Sequence, residues 1–161
     1  MKKKIVFIMN PISGTSSKAA VPSLIDSTLD KEQFEYEIKM TERPGHASEL
    51  AAEARDNHAD IVVAVGGDGT VNEVARSLVH SDSALGILPC GSGNGLARHL
   101  LLPMNLKKSI EIINECKIHD LDYGVINEYP FFCTCGMGFD AFVSMKFAES
   151  GKRGPISYAE N

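Results

Sequence analysis

The sequence predicts an α/β protein: an open, mostly parallel sheet with flanking helices, followed by the start of an incomplete β-rich second domain. Three observations carry that expectation. Short apolar runs alternate with stretches of helical period from residue 4 to residue 88, as in repeated strand–helix units. Glycine-bearing turns close three of the apolar runs. Near Lys117 the rhythm changes, and two apolar segments follow one another with no helix between them. The chain has 161 residues, 43% hydrophobic and 23% charged. That composition excludes collagen, coiled coil and disorder, and suits one ordinary core burying about two-thirds of the unfolded surface.

Residues 4–9 form a continuous apolar run cut off by Asn10-Pro11, the pattern of a strand buried on both faces. A helical pattern at 23–29, a strand at 35–41, a helix at 45–57, a strand at 60–65, a helix at 70–79 and a strand at 84–88 follow in turn. Ala47, Leu50, Ala51 and Ala54 fall at i, i+3, i+4 and i+7, and Val71, Val74, Ala75, Leu78 and Val79 extend the same stripe to i+8. Both stripes should pack on the sheet. Further helical patterns lie at 96–101 and 106–116, the latter with Leu106, Ile110 and Ile113 on one face; Pro22 and Pro103 suit helix starts or breaks. The segments 118–126 and 129–137, separated by Asn127-Glu128, read as a hairpin. A short helical pattern of Phe142, Met145, Lys146 and Ala148 comes after it. The expected division is an α/β domain over 1–117 and the beginning of a β-rich domain over 118–161, which the resemblance described below makes nucleotide-binding and lipid-binding respectively. A hairpin and one helix bury little, so the second is expected to be incomplete or completed by something else.

Sixteen Lys and Arg against 21 Asp and Glu give a net charge of −5, with no excess of cations for a nucleic-acid backbone, so nucleic acid is not an expected partner. The basic prefix Lys2-Lys3-Lys4 precedes an apolar run too short for a signal peptide, and no stretch has the length of a membrane span. The expected location is cytoplasmic. The four cysteines, Cys90, Cys116, Cys133 and Cys135, include no C-x-x-C pair and are expected to be reduced. Cys133 and Cys135 are two apart in an apolar run, which predicts paired core thiols on one strand face rather than a metal site. The five histidines show no ligand spacing.

The chemistry concentrates in Gly66-Gly67-Asp68-Gly69-Thr70, between a buried strand and an amphipathic helix. At the carboxyl end of a parallel strand, glycines let the backbone approach a ligand, and the next helix offers free N–H groups to an anion. A carboxylate in a phosphate cradle repels its ligand unless a divalent cation stands between them or a substrate hydroxyl gives it a proton. Asp68 therefore suggests Mg²⁺ or general-base work, both of which serve phosphoryl transfer. The alternative is a strand-to-helix turn in which Asp68 hydrogen-bonds nearby amides. Thr70 and Glu73 have the spacing of a capping box, while Asn72 and Glu73 also project from the first turn toward the expected phosphates. A second loop, Pro89-Cys90-Gly91-Ser92-Gly93-Asn94-Gly95, with Ser92 and Asn94 as polar contacts, and a third, Asn10-Pro11-Ile12-Ser13-Gly14, close their strands in the same manner. Such loops can face one ligand from neighbouring strand ends.

Taken together, Asn10-Pro11-x-Ser13-Gly14, Gly66-Gly67-Asp68-Gly69-Thr70-x-Asn72-Glu73-Val74, Leu88-Pro89-x-Gly91-Ser92-x-Asn94 and Gly138-Phe139-Asp140-Ala141 resemble the catalytic domain shared by bacterial diacylglycerol and lipid kinases, sphingosine kinases and ceramide kinases. The match covers essentially the whole chain. Gly-Gly-Asp-Gly-Thr alone also occurs in NAD kinases and, in variant form, in phosphofructokinases, so the combination is what specifies. The resemblance implies the nucleotide domain common to NAD and diacylglycerol kinases, with ATP bound by Asn10, Pro11, Ser13, Gly14, Thr41, Gly66, Gly67, Asp68, Gly69, Thr70, Asn72, Glu73, Gly91, Ser92 and Asn94. It implies Asp68 as the catalytic acid that organises Mg²⁺ and the reacting groups, and Asp140 facing the lipid head group, although Asp140 could equally cap the helix after it. The form Gly91-Ser92-Gly93-Asn94-Gly95 is closer to the sphingosine and ceramide kinases than to the Gly-Thr-x-Asn-Asp of bacterial diacylglycerol kinases. Full family members are about twice this length, as two domains require, and their β-sandwich second domain carries further acids.

The resulting expectation is an ATP-dependent lipid kinase that transfers the γ-phosphate to a lipid hydroxyl of diacylglycerol or sphingoid type, present here as a fragment with little activity alone. Expected partners are ATP with Mg²⁺, the lipid and a transient membrane surface, making the location cytoplasmic with peripheral visits to the inner membrane face; self-association into a homo-oligomer stays open. Lys146, Lys152 and Arg153 with Phe142 and Phe147 could make a cationic, aromatic membrane edge, but a solvated face with two core phenylalanines is the plainer expectation. The rival readings are an NAD kinase-like phosphotransferase and a non-catalytic nucleotide-binding fragment.

Overall fold

The computed structural model describes residues 1–12, 18–136, 138, 141–142 and 145–146. Its elements in chain order are β1 (Lys3–Met9), α1 (Val21–Thr28), β2 (Phe34–Met40), α2 (His46–Asp56), β3 (Ile61–Gly66), α3 (Asp68–Leu78), β4 (Ala84–Pro89), α4 (Gly95–His99), α5 (Leu106–Glu115), β5 (Gly124–Ile126) and β6 (Tyr129–Phe131). The first four strands pair in parallel in the order β2-β1-β3-β4. The chain adds β2 on one side of β1 and then crosses to add β3 and β4 on the other. Connections therefore leave the carboxyl ends of β1 and β3 in opposite directions, and a crevice opens there.

Strand alternation sorts the core into two layers. On one face Val6, Ile8, Val62, Ala64 and Ile87 pack against Ala47, Ala51 and Ala54 of α2 and Val71, Val74 and Leu78 of α3. On the other, Ile5, Phe7, Met9, Val63, Val65 and Leu88 meet Val21 and Ile25 of α1 and Ile110 of α5. Covered on both faces, β1 from Ile5 to Met9 and all of β3 are buried. That is why their sequences read as unbroken apolar runs rather than alternating ones. The buried residues of α2 are all alanines. With no bulk between the helices, Ser48 Oγ donates to the Glu73 carbonyl (2.9 Å) and Ser77 Oγ to the Ser48 carbonyl (2.9 Å).

Helix ends differ from the sequence expectation for local reasons. Pro22 lies in the first turn of α1, which begins at Val21 rather than at residue 23. α3 begins at Asp68, with Gly67 as N-cap and no side-chain cap. Thr70 is therefore inside the first turn, and the capping box expected of Thr70 and Glu73 does not form. α4 stops at His99 because Leu101 takes a left-handed conformation (φ 56°). Leu101 N–H then donates to the Arg98 carbonyl and Leu102 N–H to the Ala97 carbonyl, the paired bonds of a Schellman motif. At α5 the side chain of Asn105 accepts from Lys108 N–H, and Cys116 ends the helix at φ 50°.

The two apolar segments after residue 117 do form an antiparallel hairpin, but a short one. Gly124 pairs with Phe131 and Ile126 with Tyr129 across Asn127 (φ 47°) and Glu128 (φ 69°), both left-handed as a two-residue type I′ turn requires. The strands expected over 118–126 and 129–137 are cut at both outer ends. Cys133 lies past β6 with φ 103°, outside the extended range of a strand. Cys133 and Cys135 are consequently exposed thiols, not the paired core thiols the spacing predicts. The hairpin leans on α3: Arg76 Nε donates to the Pro130 carbonyl (2.9 Å), Tyr123 Oη and His80 Nε2 share a hydrogen bond (3.0 Å), and the Tyr123 ring stacks on Phe132. Phe142 is half exposed at 49%, with the Lys146 ammonium 5.8 Å over its ring, so it is not the core residue expected; Phe147, Lys152 and Arg153 lie outside the described residues. Among the described residues no helix is long and apolar enough to cross a membrane.

Leu101 supplies a test of this end of the sheet. Its side chain is 89% exposed, so removing it forfeits no burial, while glycine relieves the cost of a left-handed β-carbon. The variant Leu101→Gly is expected to gain about 1 kcal/mol in unfolding free energy, read by urea denaturation. A loss of stability would show that α4 does not end in this conformation.

Candidate functional site

The four strands release the chain at one level. Thr41 N–H donates to the Met9 carbonyl (2.9 Å), Asn10 N–H to the Val65 carbonyl (3.1 Å) and Cys90 N–H to the Gly66 carbonyl (2.8 Å), so each ladder continues one residue past its strand. The loops that follow β1, β3 and β4 therefore start side by side at the switch point of the sheet.

Glycine lets two of them touch. A β-carbon on Gly91 would lie 2.4 Å from the Gly67 Cα and 2.9 Å from Asn94 Oδ1, and one on Gly67 would lie 3.1 Å from the Gly91 Cα. The loops after β3 and β4 thus pack backbone on backbone. A β-carbon on Gly66 would meet Thr70 Oγ1 at 2.4 Å, and one on Gly93 would meet Asp68 Oδ2 at 2.7 Å. Gly66, Gly91 and Gly93 therefore leave no room for a β-carbon and Gly67 leaves little, before any ligand arrives. Gly69 is different, because a β-carbon there meets nothing within 4 Å.

Asp68 locks the contact. Its Oδ2 accepts from Asn94 N–H (2.9 Å) and its Oδ1 from Gly95 N–H (2.6 Å), so one carboxylate satisfies two amides at the start of α4. Asn94, buried and left-handed at φ 54°, closes its own loop by accepting from Gly91 N–H (2.8 Å) and donating to the Gly91 carbonyl (2.8 Å). Arg98 Nε donates to the Gly93 carbonyl (2.8 Å). The segment leaving the hairpin brings Cys133 Sγ to 3.1 Å from the β-carbon position of Gly95.

The first loop joins through Asn10, whose Nδ2 donates to Thr70 Oγ1 (3.4 Å) and whose Oδ1 accepts from Ile12 N–H (3.0 Å). Thr70 and Thr41 are buried. The Lys18 ammonium donates to the Asn10 carbonyl (2.5 Å). Burial lowers the Lys18 pKa and raises that of the Cys90 thiol, each effect opposed by the neighbouring group.

Of the residues expected to hold nucleotide, Asn10, Thr41, Gly66, Gly67, Asp68, Gly69, Thr70, Gly91 and Asn94 stand together at this crevice. Pro11 and Ser92 are exposed on its loops, and Asn72 is half buried on α3. Glu73 is turned elsewhere: Oε1 accepts from Gly45 N–H (3.2 Å) and Oε2 from Ala47 N–H (3.2 Å). It caps the start of α2, not its own helix. Ser13, Gly14 and Asp140 lie outside the described residues. Sequence reading missed Lys18 and Arg98, since neither sits in a glycine motif or on an apolar stripe; each is tied to a loop through a backbone carbonyl, which leaves no sequence period.

The donor set decides what could bind. The amides of Asp68, Gly69 and Thr70 precede the first intrahelical bond, from Val71 N–H to the Gly67 carbonyl, and among the described residues no side chain caps them. Such a helix start receives anionic oxygens. Among the described residues no group of three or more His, Cys, Asp or Glu could hold a metal ion. Among the described residues, Asp68 could give one ligand to a magnesium ion that took its others from phosphate and water.

Comparison with known proteins gives a consistent result. The family model of the diacylglycerol kinase catalytic domain matches residues 4–126. A diacylglycerol kinase of Staphylococcus saprophyticus is 32% identical over 98% of the chain and 53% of its own length, and one of Staphylococcus aureus is 30% identical over 98% of the chain and 51% of its own length. The chain thus spans about half the length of the curated relatives it matches. A crystal structure of a diacylglycerol kinase from Bacillus anthracis superimposes with a TM-score of 0.69 at 24% identity, over 80% of this chain and 48% of that one. It bears on the fold.

The glycine geometry predicts opposite signs at two positions. Gly91→Ala drives a β-carbon into the Gly67 backbone and is expected to cost about 1–3 kcal/mol. Gly69→Ala fills open space in a helix and is expected to be neutral or to gain up to about 1 kcal/mol. Thermal melts of the two variants decide it; equal tolerance of both would mean that the two loops are not in contact.

Proposed function

Since the chain belongs to the diacylglycerol kinase catalytic domain family, we propose that it is the nucleotide-binding part of an ATP-dependent lipid kinase. The reaction is transfer of the γ-phosphoryl group of ATP to a lipid hydroxyl. The observation that carries this reading is the meeting of strand-end loops at the switch point, beside the start of α3, whose first amides no described side chain caps, and one carboxylate, Asp68.

Each part of the crevice has a task in such a transfer. The first-turn amides of α3 hold phosphate oxygens as fixed dipoles that need no reorganisation when charge moves. Asn10, Thr41 and Thr70 line the same strand ends and orient the nucleotide. Asp68 would be the residue of this chain that holds magnesium, and the ion would supply charge neutralisation. A carboxylate offers about four lone-pair sites, and the amides of Asn94 and Gly95 use two of them. Asp68 can therefore orient the second loop and still accept the proton of an approaching hydroxyl. Positioning supplies most of the rate enhancement in this chemistry. A diacylglycerol or sphingoid-type acceptor resides in a bilayer, so turnover requires visits to a membrane surface. The matched relatives are about twice as long, so the 161-residue chain by itself is expected to bind nucleotide weakly and to transfer little phosphate.

Gly69 tests the placement of the phosphates. The Gly69→Ala variant should stay folded yet bind ATP with magnesium at least about tenfold more weakly, because its methyl occupies the space assigned to phosphate. Calorimetric titration reads this, and unchanged affinity sinks the placement. For the acceptor, labelled phosphate from ATP is offered extracted lipid or NAD in the presence of the full-length protein. Label in NAD alone would replace the lipid assignment with a soluble acceptor.

A further inference from the structure

Leu101 is unfavourable at its position on two counts. Its φ of 56° crowds the β-carbon against a carbonyl oxygen, which glycine would avoid. Its side chain is 89% exposed, and among the described large apolar residues only Met1 is more so. Leu100 and Met104, 40% and 36% exposed, share with it the short connection from α4 to α5. A solitary exposed leucine is ordinary, but three apolar side chains in one turn make a tip.

Cations flank this tip. Arg98 and His99 end α4, and Lys107 and Lys108 are exposed in the first turn of α5. No Asp or Glu occurs from Ser83 to Ile110; the first acid beyond is Glu111, one turn farther along α5. In a chain of net charge −5 that is a local reversal of sign. Ser109 Oγ donates to the Pro103 carbonyl (2.7 Å) and Lys108 N–H to Asn105 Oδ1 (3.1 Å), which ties the lysine-bearing turn to the apolar one. The tip also adjoins the crevice. Met104 Sδ accepts from Asn94 Nδ2 (3.9 Å), and Asn94 N–H is bonded to Asp68. With five residues in α4, Leu101 lies within about 10 Å of the crevice end of that helix.

A few protruding apolar side chains rimmed by cations suit the boundary of an anionic bilayer, where leucine and methionine enter the acyl region and lysines meet lipid phosphates. A protein partner would call for a broader patch around a central anchor. We propose that Leu100, Leu101 and Met104, with Lys107 and Lys108, form a docking surface for anionic lipid bilayers that brings the crevice to the membrane. The choice of a bilayer rests on the lipid-kinase reading, which needs an acceptor hydroxyl at the level of the head groups. Burial in lipid then offsets the cost of a leucine where glycine would be more stable.

The test floats the full-length protein with vesicles of phosphatidylcholine alone or mixed with phosphatidylglycerol, at low and high salt. Wild type is expected to bind the mixed vesicles at least about tenfold more tightly than the neutral ones, with the gap closing in high salt. Leu101→Gly, checked by its thermal melt to be folded, is expected to weaken binding to the mixed vesicles about tenfold. The double variant Lys107→Gln/Lys108→Gln is expected to lose about tenfold on mixed vesicles and less than about twofold on neutral ones. Phosphoryl transfer by Leu101→Gly should fall with diacylglycerol in vesicles and stay within about twofold of wild type with a short-chain diacylglycerol dispersed as monomers. A folded Leu101→Gly variant that floats like wild type overturns the docking surface and leaves the kinase reading standing. So does one that breaks up a homodimer without changing flotation, which would make the tip a contact between copies of the chain. Flotation that depends on Leu101, with no transfer to either form of lipid, supports the docking surface and sinks the kinase reading. Should either variant fail to fold, wild type still answers: binding indifferent to lipid charge overturns the proposal.

Discussion

Two backbones pressed together without side chains between them hold the crevice in shape. A β-carbon on Gly91 would sit 2.4 Å from the Gly67 Cα, and the Asp68 carboxylate clamps the same two loops through the amides of Asn94 and Gly95. Parallel strands alone would only bring the loops near one another. Their exact spacing comes from this contact, because a loop displaced by a methyl group could not present the start of α3 and the turn after β4 to a common ligand. Gly67 is also the N-cap of α3, so the contact fixes the axis along which the helix offers its first amides. The site is in this sense a property of the sheet's carboxyl edge, transmitted through two glycines.

Most of this was legible in the sequence, for identifiable reasons. The strands at 4–9 and 60–65 read clearly because burial on both faces removes every polar residue from them, and α2 and α3 because their stripes keep helical period. The glycine loops pointed to the carboxyl edge of the sheet, but not to why each glycine is there. Gly91 and Gly93 accommodate Gly67 and Asp68 from a separate loop, contacts that no local pattern reports, while Gly66 makes room for Thr70 within its own turn. Glu73 was misplaced for the same reason. Its spacing from Thr70 imitates a capping box, yet the helix starts two residues earlier and the carboxylate finds the exposed amides of α2 instead. Cys133 and Cys135 looked like strand residues because β propensity carries no knowledge of where a backbone turns to φ 103°.

Asp68 joins the two readings that the sequence left open. A carboxylate committed to amides at the start of α4 is a structural residue, and a carboxylate beside the first turn of α3 is a candidate for chemistry. These roles share one cause. The amides orient both oxygens without exhausting their lone pairs, so the remaining acceptor directions point from a fixed position. A freely rotating aspartate in the same turn would lose that orientation and the entropy of finding it. Removing the side chain would accordingly disturb loop packing and chemistry together, and only a substitution that keeps one hydrogen-bonding oxygen can separate them.

An acidic chain that took an acidic ligand would have to solve a problem of charge. The net charge is −5, and the side chain central to the crevice is itself an anion. The fold answers by fixing cations to the backbone of the loops rather than leaving them on flexible arms. Lys18 bonds the Asn10 carbonyl of the first loop and Arg98 the Gly93 carbonyl of the second. Each bond ties a cation to the backbone of a loop that flanks Asp68. A polyphosphate and the carboxylate could then occupy neighbouring positions, and a divalent cation would meet the charge that the backbone and these two side chains leave uncompensated.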